Sequence, residues 1–182
     1  MKALLRTFLY LSLIVWVGAE IFFPIVAAIA FNTLRPNSHM AGTIVCHLLG
    51  ILHTMGLASG TVALAVLALA PLAGVYKPRR VAAPIALLLL MIGLTLYSHF
   101  VVLPAMNEDR IAAGGSIDEA DPNNPSRVDF MRLHERGEHV EAAILLLGLA
   151  TVALGAGMET TAIKGPQTEG SKVQALGTGQ FC

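Results

Sequence analysis

From Phe8 to Phe31 the chain carries a single charged side chain, Glu20, and three later blocks, at about residues 40–72, 81–103 and 142–158, carry none. A bilayer core is crossed by about 20 consecutive apolar residues in a helix. Inside hydrocarbon every backbone N–H and C=O must find its partner within the fold, which a helix achieves within its own segment. The blocks therefore predict an all-α integral membrane protein, a four-helix transmembrane bundle. Composition agrees. Only 13% of the 182 residues are charged and 55% are hydrophobic, whereas a soluble domain carries about 25% charged residues. The formal net charge of zero gives no basic footprint for nucleic acid. The lipid bilayer is the expected partner, and a homo-oligomer is left open.

The first block competes with a signal peptide, since Ala28-Ile29-Ala30 resembles a cleavage site. A signal h-region is only about 7–15 residues long, so a retained helix is expected. Pro71 and Gly74 are expected to end the second span, and Pro104 the third. Lys2 and Arg6 lie on the same side as Lys77, Arg79 and Arg80, while the loop after span one has only Arg35. Positive residues favour the inside, so both termini are expected in the cytoplasm, with a bacterial inner membrane as the location. The acidic loop from Asn107 to Asp129 is then external. Residues 1–158 form the transmembrane domain, and 159–182, rich in Gly, Thr and Gln, read as a disordered cytoplasmic tail. Cys46, inside a span, and Cys182, the last residue, define no disulfide framework.

The stretch DFMRLHERGEHVE, ending at Glu141, leads into the fourth block without a breaker. Ser126 with Asp129 forms a capping-box pattern, so the last helix is expected to extend outside the bilayer over residues 127–141. Phe130, His134, Gly137 and Glu141 recur at helical steps, which predicts that His134 faces the bundle while Arg132, Arg136 and His139 face water or headgroups. His134 and Glu138, like Glu135 and His139, are four apart, but the order of a zinc-hydrolase motif is missing.

Ionisable side chains inside the spans are costly and usually face the bundle interior. Glu20 lies in span one, His47 and His53 in span two, and His99 in span three. Ser12, Trp16, Ala19, Glu20, Phe23 and Ala27 form one face of the first helix. His39, Gly42, Cys46, Gly50, His53, Gly56 and Gly60 form a small, polar face of the second, suited to close packing. Glu20 and His53 fall at similar depth, and a hydrogen bond between them is expected, either fixing helix register or forming a proton or ligand site. His47 and His99 could hold haem b or copper, with His134 a further candidate ligand. No phosphate loop or nucleophile elbow is present, and no catalytic residue is assigned.

The aromatic first span, the second opening MAGTIVCHLLG, the third ending LPAMNEDR, and Phe130-x-x-Leu133-His134 leading into the last span together resemble the transmembrane protein 205-like family over about residues 8–158. The resemblance implies a four-span membrane domain of unknown function, with eukaryotic relatives linked to platinum-drug resistance. Members usually carry a small hydroxyl residue and then an amide after the histidine, where this chain has Gly137 and Glu141. The expected function is that of a non-enzymatic multi-pass membrane protein of unknown biochemical role, with stress or metal resistance as the process it could serve. The alternatives are a haem or copper redox protein and a small-solute or proton pathway around Glu20 and His53.

Overall fold

The computed structural model describes residues 2–35 and 38–163. Among these, five α-helices and one π-helical segment account for the regular structure: α1 (Lys2–Thr33), α2 (Ser38–Leu69), α3 (Pro78–Tyr97), the π segment (Ser98–Val102), α4 (Leu103–Ala112) and α5 (Pro125–Ile163). With α3, the π segment and α4 running on as one rod, four helical rods are long and apolar enough to cross a membrane. Each of α1 and α3 packs against both α2 and α5. The four therefore close into an up-down ring with both described chain ends at the same end of the bundle.

Periodicity explains which faces turn inward. On α1, Leu9, Ser12, Leu13, Trp16, Val17 and Glu20 are buried, at the three- and four-residue steps of one helix face. Leu4, Phe8, Leu11, Phe22, Ile25 and Ile29 are exposed on the other face, as expected of side chains that meet lipid. The close-packed core joins Leu9, Leu13 and Trp16 to Leu67, Leu88, Met91 and Ile144. It fills the half of the bundle nearer the described chain ends. Trp16 lies flat against α2 where Gly56 and Gly60 present bare backbone: a Cβ on Gly56 would come within 2.5 Å of the indole nitrogen, and one on Gly60 would overlap the same ring. The small-residue face expected on α2 is buried at His53, Gly56 and Gly60, but Cys46 and His39 toward the helix N-terminus are exposed.

Four helix boundaries differ from expectation. The second helix ends at Leu69 rather than Leu72, and Gly74 then turns the chain with a φ of 63°, a conformation open to glycine without a Cβ penalty. Pro104 does not stop the third rod. Proline offers no N–H to the carbonyl four residues back, and the turn ahead of it has widened to a π segment in which Leu103 N–H bonds the Ser98 carbonyl, so the chain continues as α4 to Ala112. The last helix is capped by Asn124, whose Oδ1 accepts from Ser126 N–H at 2.9 Å, with Pro125 in the first helical position, where its missing N–H costs nothing. The cap thus lies two residues upstream of the expected Ser126. At the other end α5 runs to Ile163, so the part of the expected tail before residue 164 is helical and the rest lies outside the described residues.

At the chain-end side of the bundle, Arg6 pairs with Glu159 at 3.2 Å. The Tyr76 hydroxyl donates to the same carboxylate, and the Arg6 guanidinium sits 5.7 Å over the Tyr76 ring. Burial, and then the neighbouring Glu159 carboxylate, push the Tyr76 phenol above its ordinary range, because both disfavour phenolate. A raised folded-state pKa gives stability that is complete below the unfolded tyrosine value of about 10 and fades as pH rises through the folded one. In a detergent titration followed by phenolate absorbance, the highest-pH step should vanish in Tyr76→Phe. The stability advantage of wild type over that variant should hold below about pH 10 and shrink above it. An unchanged highest step would remove Tyr76 from this latch.

Candidate functional site

Just beyond the end of the apolar core farther from the described chain ends, three rods meet at one carboxyl group. Glu141 Oε1 lies 2.9 Å from His53 Nε2 and accepts from Ser98 Oγ at 2.8 Å. The three residues come from α5, α2 and the start of the π segment. The His53 side chain is completely buried and that of Glu141 is 16% exposed. The wide turn beginning at Ser98 buries both Ser98 and Val102, and single π turns inside α-helices recur at functional sites. One turn before the core's edge, Trp16 donates its indole N–H to Glu20 Oε1 at 3.2 Å. Glu20 lies within electrostatic reach of Glu141. The His99 ring meets the His53 ring edge to face, with centroids 5.5 Å apart.

The polar accounting at this centre is incomplete. His53 Nδ1, His99 Nδ1 and Glu141 Oε2 are buried and have no hydrogen-bond partner among the described residues. Buried polar groups are otherwise paired nine times in ten. A carboxylate oxygen has lone pairs for two donors, so Glu141 Oε1 can hold His53 Nε2–H and Ser98 O–H together. With Nδ1 also protonated, the pair stands either as imidazolium and carboxylate or as a neutral imidazole with Nδ1–H and a carboxyl that donates to Nε2. In that protonation state histidine and carboxyl can exchange one proton across 2.9 Å without moving a heavy atom.

Of the residues singled out in the sequence, Glu20, His53 and His99 gather at this centre. The expected Glu20–His53 hydrogen bond is not formed: His53 takes Glu141 from α5, and Glu20 takes Trp16, a donor one turn away on its own helix. His47 is exposed and its Nδ1 bonds the Thr43 carbonyl of its own turn at 2.8 Å. His134 does not face the bundle. It is exposed, 3.2 Å from Glu138, and stacks on Phe130 one turn earlier, at 6.2 Å between centroids. Local partners at i−4 and i+4 satisfy it there. Leu133 is half-buried. Gly137 faces Val102 with ordinary spacing for a Cβ, 3.6 Å, so close approach does not require glycine. Among the described residues no three His, Cys, Asp or Glu side chains are gathered closely enough to hold a metal ion. His47, His99 and His134 are therefore not gathered as one three-residue metal site, and the His53 and His99 rings meet edge to face with no gap for a porphyrin between them.

Glu141 and Ser98 were not picked out from sequence as members of the site. The sequence places Glu141 only on the helix face shared with His134 and gives Ser98 no role. The signal for Glu141 was its place on the face shared with Gly137, which continues inward to Ile144 and Gly148, both buried.

Four apolar rods in a closed ring, with a buried histidine–carboxyl centre, define a multi-pass membrane bundle. A family model described as a domain of unknown function (DUF4149) matches residues 11–111. This is more than half of the chain, which therefore belongs to that family. The matched region includes Trp16, Glu20, His53, Ser98 and His99 and stops short of Glu141. No curated protein and no solved structure matches the chain.

Proposed function

We propose that the centre formed by Glu141, His53, Ser98 and Glu20 binds and passes protons, and that the protein is a small proton-linked membrane pathway. One observation carries this reading: a completely buried histidine bonded to a carboxyl from another helix, with His53 Nδ1 and Glu141 Oε2 left without partners among the described residues. A pair kept only to fix helix register gains most when every member is satisfied, because an unpaired buried polar atom is costly. Intramembrane carboxyl and histidine side chains commonly mark proton relays. Positive residues at Lys2, Arg6, Lys77, Arg79 and Arg80 support cytoplasmic termini, and a bacterial inner membrane is the location in keeping with this. The order of motifs resembling the transmembrane protein 205-like family supports placing the chain near that group. A contribution to stress or metal resistance would then follow from proton-linked export.

The test is proton flux into liposomes that enclose a pH-sensitive dye, driven by a potassium diffusion potential. Wild type should exceed empty liposomes. Glu141→Gln and Glu20→Gln, close in shape to the native residues, should fall to the empty-liposome rate, while the exposed Glu138→Gln should not. Wild-type flux no faster than empty liposomes, or full flux in Glu141→Gln, would remove the proposal.

A further inference from the structure

A groove of about 410 Å³ runs along the outer part of α5, lined by Arg132, Glu135, Arg136 and His139 at one end and by Leu94, Val140 and Ala143 at the other. Arg132 and Arg136 also border an adjoining depression with Asp109 and Asp129. We propose that this groove holds a phospholipid whose headgroup carries both a phosphate and a primary ammonium, that is, phosphatidylethanolamine. The reading is independent of the buried centre, which lies on the opposite face of α5.

The first argument is position. Arg132, Arg136, His139 and Ala143 follow one another at helical steps along one face. From Arg132 to Ala143 the helix rises roughly 16 Å at its usual 1.5 Å per residue. Charge ends at Glu141 and an uncharged run begins at Ala142. The groove therefore crosses the boundary between headgroup and hydrocarbon, with its polar end outward and Leu94, Val140 and Ala143 beside the acyl chains. Arginine stems also favour this depth, since they lie along apolar surface while the guanidinium reaches the interface.

The second argument is charge complementarity. Two guanidinium groups suit a phosphate. Glu135 lines the groove itself, and Asp109 and Asp129 border the depression that shares both arginines with it, so a purely anionic headgroup would meet repulsion there. A headgroup of both signs satisfies the two sets together. Its ammonium must donate hydrogen bonds to carboxylates, which a choline headgroup, with no N–H, cannot do. Arg132 and Asp129 are 3.2 Å apart and remain largely exposed, at 67% and 55% of their side chains, so a phosphate and an ammonium can reach each of them without desolvating a buried pair.

Native mass spectrometry of the delipidated protein in detergent tests this, with phosphatidylethanolamine, phosphatidylcholine and phosphatidylglycerol of identical acyl chains. Phosphatidylethanolamine should bind at least about fivefold more tightly than either of the others. Each arginine facing a headgroup contributes about fivefold in affinity, so Arg132→Gln with Arg136→Gln should weaken binding about 25-fold. Glu135→Gln should bring phosphatidylglycerol towards parity. Both arginines are surface residues, so the variants should fold. Equal binding of the three lipids, or unchanged binding in the double variant, would overturn the proposal. So would displacement by equimolar soluble phosphoethanolamine, or a dimer whose formation excludes the lipid.

Discussion

Gly56→Ala should lower the stability of the purified protein by about 1–3 kcal/mol, the usual cost of overpacking a filled interior. The added Cβ would fall 2.5 Å from the Trp16 indole nitrogen. That ring is 1% exposed and rigid, and it cannot swing aside without leaving the groove over Gly56 and Gly60. Moving it also breaks its bond to Glu20. Trp16 is the chain's single tryptophan, so its fluorescence reports this contact directly. The variant should show a shifted emission maximum and a melting temperature lower by roughly 2–4 °C per kcal/mol lost. Because the two residues touch, Trp16→Phe combined with Gly56→Ala should destabilise by less than the sum of the single changes. Unaltered emission and melting in Gly56→Ala would mean that the helices do not approach as closely as this packing requires.

Glu141→Ala should be the more damaging change. It removes the acceptor shared by His53 and Ser98 and leaves a completely buried imidazole without its partner. Breaking a buried pair from one side costs about 3–5 kcal/mol, since the remaining group stays desolvated. In detergent this corresponds to a fall in melting temperature on the order of 10 °C. Glu138→Ala, one turn earlier on an exposed part of the helix, should change stability by less than about 0.5 kcal/mol. Similar melting temperatures for the two variants would place Glu141 outside the buried centre.

The four spans were legible because bilayer thickness converts directly into sequence length, and four uncharged or nearly uncharged blocks leave little else to build. The inward face of α1 was legible for the same kind of reason: Trp16 and Glu20 are four residues apart and fall on one side of any helix. Depth and neighbours were harder. Glu141 borders an apolar block and belongs equally well, by sequence, to a solvated surface or to the interior. Only the packing of α5 against the π segment decides, by bringing Ser98 to it. Pro104 misled because proline usually marks an end, whereas here a widened turn absorbs its missing N–H. His134 misled because a helix face carries no information about how far the neighbouring helices extend. Glu20 and His53 were rightly assigned to the interior, yet their partners are Trp16 and Glu141, and no spacing rule links residue 53 to residue 141.

The pairing across α2 and α5 is most directly tested by a double-mutant cycle on stability, with His53→Ala, Glu141→Ala and both together. A direct hydrogen bond between buried groups should give a coupling of about 1–3 kcal/mol, so that the double variant is little worse than the more damaged single one. Additive losses, with no coupling beyond about 0.3–0.5 kcal/mol, would contradict a centre in which His53 and Glu141 share a proton.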